Sequence, residues 1–152
     1  MTFVADTSAM IALLDRRDSH HAALLHLFHD TGSRWVLPWA ILPEVDYLAA
    51  SRLGAPTQAA FFDDLASAAL VVDWGDETDL LRAQALARQH LELRLGLVDT
   101  VVMAIAERLR ADAIVTLDLR HFGAVALKPQ PNLLPRDLES TPKGRARQSK
   151  RA

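Results

Sequence analysis

Four carboxylates stand where the pattern of the chain changes. Asp6 ends the apolar run Phe3-Val4-Ala5 and is followed by two hydroxyls, Thr7 and Ser8. Asp99 opens an apolar helical stretch after a connection containing Gly96, and Asp118 follows the apolar run Ala113-Ile114-Val115-Thr116. Glu44 falls within a helical stretch. Ile41 three residues before it and Leu48 four after share its face, so the spacing puts a carboxylate on an apolar stripe. A carboxylate buried there needs a cation, a hydrogen-bonding network or a metal. Each aspartate taken singly also suits a helix N-cap. Together the four acids suit a hard divalent cation such as Mg2+ or Mn2+, which prefers carboxylate and water oxygens. Such an ion can acidify and position a water and offset charge on a phosphate, which points to phosphodiester hydrolysis.

The surrounding elements must bring these acids together. Short apolar runs read as strands at Phe3-Ala5, Trp35-Leu37, Leu70-Trp74, Ala113-Thr116 and Val125-Leu127, the last just before prolines 129, 131 and 135. Helical patterns fall between them: from Ala9 to Leu14, His20 to Asp30, Ala40 to Leu53, Thr57 to Ala69, an Asp76-capped stretch to Gln89, and Asp99 to Arg110. Strands alternating with helices predict an α/β fold, a mostly parallel five-stranded sheet with helices on both faces. An acid directly after a strand lies at the carboxyl edge of such a sheet, where ligands bind.

At 152 residues the chain is long enough for one domain with a substantial core. It has no cysteine, which excludes disulfides, thiolate metal sites and a cysteine nucleophile. No apolar run approaches membrane-spanning length and no signal-peptide pattern precedes the first strand, so a cytoplasmic protein without membrane contact is expected. The net charge of -2 hides an asymmetry. Residues 139–152 carry Lys143, Arg145, Arg147, Lys150 and Arg151 against Glu139, a charge of +4 that leaves -6 on residues 1–138. The expected organisation is therefore a domain over 1–138 and a basic, disordered tail over 139–152. An acidic body is not the even basic coat of a simple nucleic-acid binder, so metal has to offset charge at any nucleic-acid site.

The stretch from Asp6 to Asp15 resembles the opening of PIN-domain proteins. Leu97 to Ala106 resembles their central acidic helix start. Thr116 to Phe122 is similar to the last acidic turn of VapC-type toxins from bacterial toxin–antitoxin pairs, and Glu44 has the matching position after the second strand. The resemblance covers roughly residues 2–128. It implies a three-layer α/β/α sandwich and a Mg2+- or Mn2+-dependent endoribonuclease with a cognate antitoxin, and a homodimer is expected. It assigns the acidic site to Asp6, Glu44, Asp99 and Asp118, with Asp6 and Asp99 as direct metal ligands. Thr7 and Thr116 would orient carboxylates or water, and Arg120 would meet a phosphate. Two alternatives within the family are an RNA-processing nuclease without an antitoxin and a non-catalytic binding module. A receiver-like phosphoacceptor fits poorly, because Thr7 stands where a second acid would follow Asp6.

Other features carry less. His20, His21, His26 and His29 crowd one helix without the further ligands zinc requires. Asp15 and Asp18 read as a turn and a cap, and Asp73, Asp76, Glu77 and Asp79 as strand-end and helix-start acids. Trp35, Trp39, Tyr47, Phe61 and Phe62 read as core or interface aromatics, some suited to a dimer contact or an antitoxin groove.

Overall fold

The computed structural model describes residues 1–140. Five strands form one sheet: β1 (Phe3–Ala5), β2 (Trp35–Pro38), β3 (Val71–Asp73), β4 (Ala113–Val115) and β5 (Asn132–Leu134). Their order is β3-β2-β1-β4-β5 and every pairing is parallel, so the expected sheet is found, with no antiparallel member. From β1 the chain winds outward through β2 and β3, then returns to the other side of β1 for β4 and β5. The reversal lies between β1 and β4, where an open parallel sheet leaves its ligand crevice.

The central strands are buried on both faces, as a covered parallel sheet demands. Phe3, Val4 and Ala5 of β1 and Ala113, Ile114 and Val115 of β4 are all buried. Helix α1 (Thr7–Leu14) leaves β1 directly and buries Ala9, Met10 and Ala12. Helix α2 (His21–Thr31) packs on α1 through Leu24 and Leu27. After β2 one helical run extends from Trp39 to Leu53: a 3-10 turn, α3 (Leu42–Leu48) and a π turn (Ala49–Leu53). It is followed by α4 (Ala55–Ala66).

Helix α5 (Glu77–Gln89) starts at Asp76, whose side chain accepts from Thr78 N at 2.7 Å, as its sequence suggests. Helix α6 (Leu97–Arg108) is buried at every position from Thr100 to Ala106, which places it between the sheet and α5. A single turn, α7 (Leu119–Phe122), follows β4.

Three expectations are corrected. Val125-Leu127 is not a strand: Val125 and Leu127 are buried by packing, and the fifth strand is Asn132–Leu134, bracketed by Pro131 and Pro135 at the sheet edge. Helix α6 begins two residues before Asp99, which is therefore its third residue. Glu44 is exposed. The buried line of the helical run is Ile41, Val45 and Ala49, four residues apart, and Glu44 sits beside that line. From residue 141 onward the basic tail lies outside the described residues. Among the described residues no helix is long and apolar enough to cross a membrane.

Candidate active site

Strand register sets the first contacts. Ala5 pairs with Val115, and Asp6 N donates to Val115 O at 2.9 Å, so the residues that leave β1 and β4 emerge side by side. Asp6 occupies the N-cap position of α1 yet its side chain makes no cap bond to that helix. Its Oδ2 instead accepts from Ser8 Oγ and from Thr116 Oγ1, each at 2.9 Å. Those hydroxyls are held in turn: Leu117 N donates to Ser8 Oγ at 2.9 Å, and Asp118 N to Thr116 Oγ1 at 3.0 Å. The loop after β4 is thereby fastened to the start of α1, and Oδ1 of Asp6 receives neither hydroxyl.

Asp118 does cap its helix, accepting from His121 N at 3.1 Å through Oδ1. Its Oδ2 lies 2.9 Å from His121 Nδ1, and the same nitrogen lies 3.3 Å from Asp99 Oδ2. Asp99 also takes a long bond, 3.4 Å, from Gly96 N. Ligand atoms of Asp99, Asp118 and His121 fall within 4.8 Å of one another.

Asp6, Thr7, Glu44, Asp99 and Asp118 all line one cleft of about 340 Å3, together with Ser8, Asp18 and Arg52. The structure thus brings together the four acids singled out in the sequence. Thr116 stands behind them, holding Asp6. Arg120 is exposed on α7 and does not line the cleft. Ser8, His121 and Arg52 had no role from sequence. A signal existed for His121, three residues after Asp118 and hence on its helical face. For Ser8 and Arg52 the sequence offered only proximity to a motif.

Burial pushes the Asp6 carboxyl above its ordinary value, and the Asp99 charge adds to the shift, while the Ser8 and Thr116 hydroxyls oppose it. Burial also raises Asp99; the Gly96 N–H and His121 oppose this, and Asp118 and Glu44 reinforce it. Carboxylates packed this way lack positive charge. The Thr7 hydroxyl is buried and is the one buried side-chain polar atom without a hydrogen-bond partner among the described residues. A cleft of oxygen donors with an unpartnered hydroxyl in its wall fits a hydrated hard cation better than a soft one.

The PIN domain pattern matches residues 3–128. The chain belongs to the PIN-domain family. Among curated proteins, Ribonuclease VapC26 of Mycobacterium tuberculosis is 30% identical over 122 residues, spanning 80% of this chain and 90% of the relative. Among solved structures, VapC20 of M. tuberculosis, described as a sarcin-ricin loop cleaving toxin, superposes with TM-score 0.70 at 20% identity, covering 77% of this chain and 90% of that one. The DNA-bound VapBC of Salmonella typhimurium superposes with TM-score 0.67 at 20% identity over 88% and 96% of the two chains. These likenesses show a shared PIN fold, and the acid cleft of this PIN domain opens at the carboxyl edge of its sheet, beside the switch point.

Proposed function

We propose that this PIN domain is a Mg2+- or Mn2+-dependent endoribonuclease, the toxin of a toxin–antitoxin pair acting in the cytoplasm. The observation that carries the reading is the convergence of Asp6, Glu44, Asp99 and Asp118 on one cleft. The names of its relatives support the biological role: VapC26 is a ribonuclease, and VapBC complexes share the fold. A homodimer with a cognate antitoxin is part of this reading.

Asp6 and Asp99 would hold the cation directly, with Glu44 and Asp118 binding through water or completing a second position. A divalent cation held there would offset charge on the scissile phosphate and lower the pKa of a water, so that the water gives up its proton and becomes a nucleophile for phosphorus. The chain's own residues orient and desolvate. Ser8 and Thr116 fix the Asp6 carboxylate by its Oδ2 edge. The Thr7 hydroxyl, lining the cleft without a partner, is placed to bond water or a phosphate oxygen. His121 lies between Asp118 and Asp99, 2.9 Å and 3.3 Å from their carboxylates through Nδ1, and holds the two in register.

The test is cleavage of structured RNAs by purified protein with Mg2+ or Mn2+, with EDTA, and with Asp6→Asn and Asp99→Asn. Metal-dependent cleavage lost in both variants is expected. Variants that cut as well as the parent would place the activity elsewhere.

A further inference from the structure

The acid cleft poses an electrostatic problem. Five carboxylates line it, those of Asp6, Asp18, Glu44, Asp99 and Asp118, against one cationic side chain, Arg52. One divalent cation still leaves a formal deficit of positive charge where an RNA phosphate has to enter. Arg52 also lines a second, larger groove of about 1010 Å3 that adjoins the cleft. There the balance reverses: Arg16, Arg17 and Arg52 stand against Asp15.

The backbone explains how Arg52 reaches both spaces. Glu44, Leu48 and Arg52 all face the cleft. In a continuous α-helix the third of such a series drifts away from the first, because 3.6 residues complete a turn. Here Ala49–Leu53 form a π turn, closed by Gly54 N donating to Ala49 O at 3.0 Å. More residues per turn keep Arg52 on the Glu44 side, and such single π turns concentrate at functional sites. Arg52 and Arg16 are exposed, and neither has an ion-pair partner among the described residues. Arg17 meets only Asp15, at 3.4 Å across an exposed pair.

We infer that Arg52 binds a phosphate of the substrate RNA next to the scissile one, and that Arg16 and Arg17 carry the strand onward along the groove. The inference rests on the ribonuclease reading. Arg suits the task, since its planar fork of donors matches a phosphate and stays charged at every working pH. Contacts of this kind position a strand without reading its sequence. Arg52 is thus a positioning residue for the reaction, separate from the acids that would hold metal.

The test measures binding in EDTA, where it is independent of cleavage, and again with Ca2+, which restores positive charge to the cleft, and the variants are compared in both. A fluorescent oligouridylate is titrated with the full chain across a series of salt concentrations, for the parent, Arg52→Ala, Arg52→Lys and Arg16→Ala/Arg17→Ala. Arg88→Ala, an exposed arginine on α5 that lines neither space, is the control. Loss of the Arg52 contact weakens binding about tenfold. It also lowers the slope of log affinity against log salt by about 0.7, and the double variant lowers it by about 1.4. Arg52→Lys restores the slope, and Arg88→Ala leaves it unchanged. Mn2+ binding, followed by calorimetry, is retained in Arg52→Ala and is at least as tight as in the parent, because the cleft loses its one cation, which shows that the cleft is intact. Arg52→Ala with the parent's affinity and slope overturns the inference. So does a variant that keeps its RNA affinity while losing a protein partner, since the groove would then belong to that partner. Failure of the nuclease reading shows separately, as a parent that binds RNA but cuts none with metal present.

Discussion

At the scale of single residues, the cleft trades stability for chemistry. Thr7 keeps a buried hydroxyl without a partner. Replacing an unsatisfied buried group by an apolar isostere is close to neutral or stabilising. Thr7→Val is therefore expected to match or exceed the parent in thermal midpoint while cleaving RNA about tenfold more slowly. A variant equal to the parent in both would leave the hydroxyl without a role. Asp6 gives the second prediction. Its folded-state pKa lies above the ordinary value of 3.8, so between those two values the native chain holds a proton that the unfolded chain has released. The stability this contributes is complete below 3.8 and is lost as pH rises through the raised value. Asp15, Asp76, Glu107 and Asp137, all with lowered values, act in the opposite direction, so the comparison has to be with Asp6→Asn. In EDTA, Asp6→Asn should gain on the parent as pH rises from acidic to neutral, and added Mg2+ should raise the midpoint of the parent more than that of the variant. The three aspartates were legible because acids stand out at strand ends and helix starts; Glu44 was singled out on a burial that the structure does not show, and only the resemblance gave it its position. Ser8 and His121 were not legible, because hydroxyls and histidines at turns are ordinary until their partners are known.

At the scale of elements, α6 carries Asp99 and is held from behind. Arg108, at its last position, donates to Asp79 Oδ1 at 2.8 Å and Oδ2 at 3.0 Å, and to Asp73 Oδ1 at 2.6 Å. Asp79 is 3% exposed and also accepts from Asp76 N, so one guanidinium ties α6 to the start of α5 and the end of β3. Arg82 makes a second pair with Glu107 at 2.6 Å. Asp79 is buried, but Arg108 is exposed and water screens its end of the pair, so Arg108→Ala strands one carboxylate and should cost about 1.5 kcal/mol in denaturant unfolding. A loss below about 1 kcal/mol would mean that water solvates Asp79 once the arginine is gone. The acids at Asp73, Asp76 and Asp79 were correctly read from sequence as strand-end and helix-start residues, but the partner that Asp73 and Asp79 share lies some thirty residues on and no local pattern announces it. The fifth strand failed for a related reason. An apolar run such as Val125-Ala126-Leu127 signals burial, and burial comes from packing as readily as from pairing. Asn132–Leu134 is no shorter than β1 or β4, but it stands between prolines and opens on a polar residue, so no apolar run marks it. Glu44 failed by phase: a three-residue step to Ile41 and a four-residue step to Leu48 define a face only if the helix starts where the pattern does, and α3 is preceded by a 3-10 turn.

At the scale of the whole molecule, the chain has to attract a polyanion with a net charge of -2. Residues 1–138 carry -6, so the folded body as a whole repels RNA at long range. Two sources of positive charge can reverse this: metal in the cleft, which acts at short range, and the Lys and Arg residues of the C-terminal stretch, which raise the encounter rate and release counterions on contact. The two separate experimentally. All four acids lie between residues 6 and 118, so ending the chain after Ser140 should leave Mn2+ affinity and metal-dependent thermal stabilisation unchanged. The same truncation removes five cations and should lower the salt slope of RNA binding by as much as about 3.5, with a modest loss of affinity at physiological salt. If the slope does not move, the tail never meets phosphate. RNA capture would then rest on the arginines beside the cleft and on the cation within it, and the asymmetry of charge along the chain would serve some other contact.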